Sequence, residues 1–294
     1  MGGKAHGAIW ASAPSLGACQ SRPRAALLGQ RPFPESNVIK PDTMVLVLRS
    51  LAFQLFFYLW TAAVCLLPLP LLPFLSAAST RAIARFWERG TLAALRLLVG
   101  LSYEVRGRER LPEGPALLAA KHQSAWETLT FHVIVPDLAI GLKDELTRIP
   151  VFGWYLMRAD NIRIDRGAAA RAIRSLIAGA KKAVGRGQSV LIFPEGTRMA
   201  PGEAPDYKPG VAALYAALDL PAVPIALNSG VFWRRREFVK RPGRIVVEFL
   251  EPIPPGLDRK TFMRRLEQSI ETATAALVAE ARGHESGQSV GRSV

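Results

Sequence analysis

The sequence predicts an α/β fold, in which a mostly parallel sheet is flanked by helices and preceded by an N-terminal helical hairpin. Two observations support this prediction. After residue 101, short runs rich in apolar and β-branched residues alternate with stretches of helical periodicity, as in a largely parallel sheet. Before that point, the chain carries no charged residue between Arg49 and Arg81. The 294 residues are enough for one large domain and such an appendage.

Seven strands and five helices are expected after residue 101. In parallel sheets, binding and catalytic residues are found in the loops at the carboxyl ends of the strands. The residues that follow these strands are therefore the first candidates for a site. The strands are predicted at 102–106, 116–120, 138–142, 162–164, 189–193, 222–227 and 244–250, and the helices at 125–134, 151–157, 168–184, 210–218 and 258–281.

Residues 44–100 are expected to form two membrane-binding helices. Residues 51–67 are apolar on all sides, and a Pro-rich stretch then interrupts them. Their length is the short limit for crossing a bilayer, which takes about 20 residues. A helix that spans the membrane, one that enters a single leaflet and a buried core helix all stay open. Residues 81–100 set four arginines beside an apolar face, as in a helix that lies in the membrane interface.

The two ends of the chain are expected to lie outside the folded domain, which leaves 101–282 for the α/β domain. Residues 1–43 are rich in Ala, Gly, Pro and Ser without periodicity, which predicts disorder or an extension that the natural protein lacks, with Met44 as its start. A transit peptide is the alternative. Residues 283–294 are polar and rich in Gly and Ser, which predicts a flexible tail.

The charge and the composition indicate a partner that is both anionic and apolar. The net charge is +14, which suits nucleic acid, an anionic lipid surface or a phosphorylated substrate. Because 49% of the residues are hydrophobic, lipid is favoured over nucleic acid. Two basic clusters, 181–182 and 234–236, the latter followed by Lys240 and Arg241, are expected to meet anionic head groups. Nucleic-acid binding and plain solvated surface charge are the alternatives. The two cysteines and four histidines show no metal-ligand spacing, so no metal is expected.

The first candidate site is the segment 121–127, which follows the strand predicted at 116–120. His122 is a candidate general base there, because the pKa of a histidine lies near working pH. Glu127 is a candidate to orient the ring and to stabilise the imidazolium. Ser124 and Glu127 also match a capping box, in which Glu127 simply bonds the backbone at a helix start. Both interpretations of Glu127 stay open.

The second candidate site is the segment 193–198, Phe-Pro-Glu-Gly-Thr-Arg, directly after the strand predicted at 189–193. Glu195 is a candidate to hold a substrate hydroxyl. Gly196 and Thr197 add backbone donors and a hydroxyl group to the same turn. Arg198 is a candidate to bind phosphate oxygens as a bidentate pair.

Together these motifs resemble the glycerolipid acyltransferase family, and most closely its 1-acylglycerol-3-phosphate acyltransferase branch. The resemblance rests on His-x4-acid followed about 70 residues later by Phe-Pro-Glu-Gly-Thr-Arg, and it covers roughly residues 45–255. Segments 143–154 and 164–166 resemble the family's second motif region, and 223–229 resembles its fourth. One position departs from the pattern, since the first motif usually ends in Asp and here ends in Glu127.

The resemblance implies direct transfer of a fatty acyl group from acyl-CoA or acyl carrier protein to the free hydroxyl of lysophosphatidic acid, in phospholipid biosynthesis. His122 would be the base, Glu127 its support, and Lys143, Arg166 and Arg198 the cations for the acceptor phosphate. No cofactor is expected beyond the thioester co-substrate. The expected location is the inner membrane, with the catalytic domain facing the cytoplasm. The alternatives are another lysolipid acceptor, such as a lyso-ornithine lipid, or a non-catalytic membrane-binding member of the fold.

Overall fold

A computed structural model of the protein describes residues 41–164 and 169–290. Most of the extension predicted for residues 1–43 lies outside this part of the chain. The described residues contain seven strands: β1 Leu101–Arg106, β2 Leu117–Ala120, β3 Leu138–Lys143, β4 Ile162–Ile164, β5 Ser189–Ile192, β6 Ala222–Leu227 and β7 Gly243–Phe249. Their helices are α1 Pro41–Leu66, α2 Ala77–Ala94, α3 Phe131–Ile134, α4 Phe152–Arg158, α5 Ala169–Val184, α6 Gly210–Leu218, α7 Ser229–Phe232 and α8 Arg259–Val290.

The strands form one sheet in the order β1-β7-β6-β2-β5-β3-β4. Every neighbouring pair is parallel except β6 and β7, which run antiparallel. The predicted mostly parallel sheet is therefore confirmed, and each predicted strand is present to within one residue at either end. All seven strands could be recognised because their apolar runs are short and bounded by turn residues.

Two helical regions differ from their predicted bounds. The helix predicted at 125–134 is split into a 3-10 turn at Glu127–Leu129 and the short α3. The break falls at Thr130, whose hydroxyl donates to the carbonyl of Trp126, a local bond that competes with regular helix. At the other end, α8 continues to Val290, into the region where a flexible tail is expected.

The sheet is buried on both faces. Its central strands are therefore continuous runs of apolar residues and do not alternate between apolar and polar residues. Along β2, Leu118 and Ala120 face the layer that contains α1 and α2. Leu117 and Ala119 face the opposite layer, which contains α5, α6 and the first half of α8. Burial on both faces holds the carboxyl ends of β2 and β5 rigidly side by side.

The α1–α2 hairpin packs through its aromatic residues. The indole of Trp60 donates to the carbonyl of Trp87 at 3.0 Å, and the indole of Trp87 donates to the hydroxyl of Thr61 at 2.9 Å. Gly90 permits this approach, because a Cβ there would lie 2.6 Å from the ring of Trp60. The prediction of two N-terminal helices is confirmed.

The helix α1 is also attached to the α/β domain at two places. Toward its middle, the hydroxyl of Ser50 accepts from the backbone amide of Lys240 at 2.9 Å. Near its end, the hydroxyl of Tyr155 donates to the carbonyl of Cys65 at 3.0 Å. Leu48, Leu51, Leu55 and Leu59, spaced three or four residues apart, are exposed on the opposite side of the helix. The helix therefore lies along the domain with an apolar stripe facing outward.

We expect Gly90→Ala to destabilise the hairpin. The added methyl group displaces the ring of Trp60 and disturbs its hydrogen bond to Trp87, and overpacking of this kind costs about 1–3 kcal/mol. The melting temperature in detergent should fall. Gly114→Ala is the matched control, because a Cβ at Gly114 meets nothing within 4 Å. Equal melting temperatures for the two variants would contradict the proposed close packing.

Candidate functional site

The two candidate motifs meet at one edge of the sheet. Strands β6, β2 and β5 are adjacent and parallel, so their carboxyl ends lie side by side. His122 follows β2, the segment 193–198 follows β5, and Ser229 follows β6. The fold thus brings together residues that are more than 100 positions apart in the sequence.

His122 is held from both sides by the second motif. Its backbone amide donates to Oε2 of Glu195 at 2.9 Å, and its carbonyl accepts from the amide of Met199 at 2.8 Å. Its imidazole stacks on the ring of Phe193, with ring centroids 4.0 Å apart. These contacts fix the imidazole beside the loop that follows β5.

Glu127 lies beneath the histidine and is fully buried. Its Oε2 is 3.8 Å from Nδ1 of His122, which is beyond a hydrogen bond and within the range of an ion pair. Three groups donate to the carboxylate. They are the amides of Gln123 and Ser124, at 2.9 and 3.1 Å, and the hydroxyl of Ser229, at 2.5 Å. The carboxylate therefore has partners for its charge before any imidazolium forms.

Both interpretations of Glu127 describe part of this geometry. The bond from the amide of Ser124 to Glu127 is one half of a capping box. The other half is altered, since the hydroxyl of Ser124 accepts from the amide of Trp126 and not from that of Glu127. The same carboxylate faces His122, so one side chain can brace the turn and support the ring.

Burial raises the pKa of Glu127 to about 7. The hydrogen bonds from Ser229 and from the amides of Gln123 and Ser124 act in the opposite direction, because they stabilise the charged carboxylate. With its pKa near neutrality, Glu127 changes charge within the working range of pH. Support of a protonated His122 is therefore strong above about pH 7 and weaker below it.

Glu195 belongs to an ion cluster that is centred on Lys121. Its Oε1 lies 2.6 Å from Nζ of Lys121, while its other oxygen holds the amide of His122. Lys121 also donates to Glu271 of α8 at 2.7 Å, and Glu271 accepts from the hydroxyl of Tyr207. A role in holding a substrate hydroxyl stays a prediction, since this side chain is 1% exposed and both its oxygens face protein groups.

The rest of the second motif forms a half-buried turn beside His122. Gly196 has a φ of 64°, a left-handed conformation that glycine adopts readily, and its amide donates to the carbonyl of Phe193. Thr197 and Arg198 follow at the surface of this turn. Arg198 directly precedes Met199, whose amide donates to the carbonyl of His122, so the Arg198 backbone is adjacent to that of the candidate base.

Of the other two cations predicted for the phosphate, Lys143 is farther along the sheet. Lys143 ends β3, two strands from β2, and its side chain is outside the described residues. Strands lie about 4.8 Å apart, so its backbone is about 10 Å from the β2 end. Arg166 follows the edge strand β4 and lies outside the described residues. Their phosphate roles stay predictions.

The basic residues between 234 and 241 differ in their burial and in their hydrogen-bond partners. Arg235 donates to the carbonyl of Arg198 at 3.0 Å, which adds a second guanidinium to the motif loop. Lys240, expected to meet head groups, is instead buried, where its ammonium donates to Gln54 and lies 5.1 Å from the ring of Trp233. Arg241 pairs with Glu237 through two hydrogen bonds. The prediction was wrong for Lys240 because a single sequence does not reveal that α1 covers this segment.

Sequence reasoning assigned no role to Ser229, although its hydroxyl makes the shortest bond to Glu127. Gln123 was also missed, and its side chain accepts from the amide of Gly230 at 3.0 Å. The available signal was a pair of polar residues, Asn228 and Ser229, directly after an apolar parallel strand. Among residues 41–164 and 169–290, no group of three or more His, Cys, Asp or Glu is arranged as metal ligands.

Comparison with known proteins agrees with this geometry. The family model of acyltransferases matches residues 102–228, which include both motif loops. The chain is 39% identical over 178 residues to a 1-acyl-sn-glycerol-3-phosphate acyltransferase from Pseudomonas aeruginosa, covering 60% of this chain and 68% of the relative. The chain belongs to the acyltransferase family. It is also 32% identical over 158 residues to the enzyme of that name from Limnanthes alba, covering 53% of this chain and 56% of that one.

The fold agrees with that of a solved acyltransferase. The crystal structure of the 1-acyl-sn-glycerophosphate (LPA) acyltransferase PlsC from Thermotoga maritima matches 79% of this chain and 97% of its own, with a TM-score of 0.65 at 20% identity. The predicted sheet and N-terminal helix pair are therefore those of a known acyltransferase fold.

We expect Ser229→Ala to shift the pH profile of acyl transfer to higher pH. Loss of a hydrogen bond to a charged group costs about 1.5–3 kcal/mol, so the pKa of Glu127 should rise by about one unit or more. From a starting value near 7, a one-unit rise lowers the ionised fraction at pH 7, and with it kcat/KM, about fivefold. The measurement is kcat/KM from pH 5.5 to 9.

Ser229→Thr is the matched control, because it keeps a hydroxyl beside Glu127 and should keep the profile near that of the wild type. A loss of activity in Ser229→Ala that is the same at every pH would mean that Ser229 acts only through packing.

Proposed function

We propose that this acyltransferase moves a fatty acyl group from a thioester to the free hydroxyl of lysophosphatidic acid, which yields phosphatidic acid. The observation that carries the proposal is the pairing of His122 with a buried carboxylate, Glu127, at the carboxyl edge of a parallel sheet. The names of the relatives from Pseudomonas and Limnanthes support this acceptor. Acyl-CoA and acyl carrier protein are both candidate donors.

The proposed reaction passes through no acyl-enzyme. Nδ1 of His122 faces Glu127, so Nε2 is the nitrogen that we assign to the lysolipid hydroxyl. As Nε2 takes the proton, the hydroxyl oxygen attacks the thioester carbonyl carbon, and Glu127 stabilises the imidazolium. The tetrahedral adduct collapses, the C–S bond breaks, and the sulfur leaves with the proton held by His122. An ester and a free thiol result, and the enzyme returns to its starting state.

The first experiment measures free-thiol release from oleoyl-CoA and from acyl carrier protein thioester, with and without lysophosphatidic acid. Release should require the lysolipid. His122→Ala should lower kcat by at least about 100-fold, the usual contribution of a general base. His132→Ala is the control for removal of an imidazole ring, because His132 pairs with Glu88 in a different part of the fold.

The outcomes separate the candidate functions. Release with lyso-ornithine lipid but not with lysophosphatidic acid would keep the chemistry and change the acceptor. A folded, membrane-bound wild type that releases no thiol with any lysolipid would overturn the proposal in favour of a non-catalytic member of the fold.

We assign the acceptor phosphate mainly to Arg198, with Lys143 as a more distant contributor, and Arg166 stays a candidate from the motif alone. The Arg198 backbone neighbours that of His122, whereas the Lys143 backbone lies about 10 Å across the sheet. Gly196 and Thr197, at the surface of the turn, would complete the acceptor subsite. Glu195 would contribute by holding the backbone amide of His122 in place.

We expect Arg198→Ala to lower kcat/KM for lysophosphatidic acid about 30-fold or more, because losing a desolvated charged contact costs about 2–5 kcal/mol. Lys143→Ala should have a smaller effect. Arg259→Ala, an exposed site on α8, is the control for loss of one positive charge. Negligible effects at both Arg198 and Lys143 would contradict the phosphate assignment, and so would an equal loss for Arg198→Ala with monoacylglycerol, which has no phosphate.

The attachment that we propose is to one leaflet, on the cytoplasmic face of the inner membrane, where both donors occur. Residues Thr43–Leu66 are long and apolar enough to cross a bilayer, with mean hydropathy 1.5, and only 11% of the most apolar stretch is buried. That exposure argues against a core helix. The two contacts that tie α1 to the domain, at Ser50 and Cys65, are about 22 Å apart along the helix. A perpendicular span would carry one of them into the bilayer, so α1 lying in the membrane plane fits better.

A further inference from the structure

A second apolar surface lies outside the hairpin. Among the described residues after 99, six large hydrophobic side chains are exposed, and four of them fall within a 12-residue stretch. We call this set the 146–157 patch, and it consists of Leu146, Ile149, Trp154 and Met157. Such a concentration on one short segment differs from the isolated exposed hydrophobics that are normal on a soluble surface.

The patch is continuous with the outward-facing end of the hairpin. Arg158, at the end of α4, donates to the carbonyls of Pro73 and Leu75 in the α1–α2 connection, at 2.7 and 2.6 Å. Tyr155 donates to the carbonyl of Cys65. The ring of Phe152 packs edge-on against that of Trp87, 6.0 Å away. The contacts of Arg158 and Tyr155 attach α4 to the part of the hairpin where Leu67, Leu71 and Phe74 are exposed, and Phe152 attaches it to α2.

The patch also has the composition of a membrane interface. Trp154 is half exposed, and tryptophan is enriched where a protein meets the head-group level. Arg148 and Arg163 are exposed beside the patch, where they can reach anionic head groups. Asp144 lies near both guanidiniums and offsets part of their charge, so the apolar side chains are the main attraction.

We propose that the 146–157 patch is a second point of membrane contact, separate from the N-terminal helices, and that its partner is the bilayer surface. The patch begins three residues after Lys143, which ends β3 at the same edge of the sheet as the candidate site. Two contacts fix the tilt of the domain, whereas a hairpin alone leaves it able to rock. With this tilt, the edge of the sheet that carries the candidate site stays close to the head groups, where a lysolipid acceptor lies.

The proposal deepens the function proposed above but is tested without turnover. In a Cys19→Ser, Cys65→Ser background, a single cysteine is introduced by Met157→Cys and labelled with the environment-sensitive dye NBD. Leu71→Cys in the hairpin is the positive control, and Gln268→Cys on the exposed face of α8 is the negative control. Vesicles of phosphatidylethanolamine and phosphatidylglycerol contain a lipid with a doxyl quencher on its acyl chain.

We expect the dye at 157 to shift to the blue and to be quenched by the doxyl lipid, as at 71, while the dye at 268 is unaffected. If the label at 157 behaves like that at 268, the patch does not touch the bilayer and the proposal is overturned. A blue shift at 157 without lipid quenching would also overturn it, because the patch would then be covered by protein, such as a second copy of the chain.

A binding measurement gives an independent test. The double variant Trp154→Glu, Met157→Glu should bind the same vesicles at least about tenfold more weakly. The reason is that two apolar side chains proposed to enter the bilayer surface would be replaced by charged ones. Gln268→Glu with Thr272→Glu adds the same charge on exposed positions of α8 and should leave binding within about twofold of wild type. Equal affinities for the two double variants, with unchanged melting temperatures in detergent, would contradict the proposal. Failure of acyl transfer alone would leave it intact.

Discussion

The arrangement of the site depends on one buried ion cluster. Lys121 directly precedes the candidate base, and its ammonium pairs with Glu195 from the second motif and with Glu271 from α8. Buried charges are costly unless they are paired, so these three elements are stable only when they lie together. Glu195 then holds the amide of His122, and Phe193 provides the ring on which the imidazole stacks. The carboxylate and the ring from the second motif thus orient His122, the candidate base in the first.

The structural role of Glu127 and the chemical role that we propose for it depend on the same carboxylate. Its burial favours the neutral acid, and the pKa is raised to about 7 with the hydrogen bonds of the carboxylate in place. Two backbone amides and the hydroxyl of Ser229 restore part of the stability of the charged form. The family's usual residue here is Asp, and the longer Glu127 reaches both the turn amides and the hydroxyl contributed by α7. Because Ser229 follows a different strand, the acid depends on the register of β6 beside β2.

The membrane attachment that we propose and the assembly of the site depend on the same contacts. Lys240 binds Ser50 and Gln54 of α1, while α4 binds the connection after α1. The apolar stripe of α1 and the 146–157 patch are consequently held in fixed positions relative to the sheet edge. In the orientation that we propose, with this edge toward the head groups, a lysolipid acceptor would reach His122 without leaving the membrane surface.

The sequence by itself determined the strands, the order of elements and the two motif loops, because each depends on residues close in the chain: short apolar runs, turn residues and helical periodicity. It also identified His122, Glu127 and Arg198 as candidates, since each follows a strand within a few residues. Only the tertiary structure decided what those groups contact. Ser229 bonding Glu127, Glu195 pairing with Lys121 and Lys240 lying beneath α1 all join segments separated by 70 residues or more. Burial and pairing of charges depend on distances across the sheet, and those distances exist only once β2, β5, β6 and the hairpin have packed together.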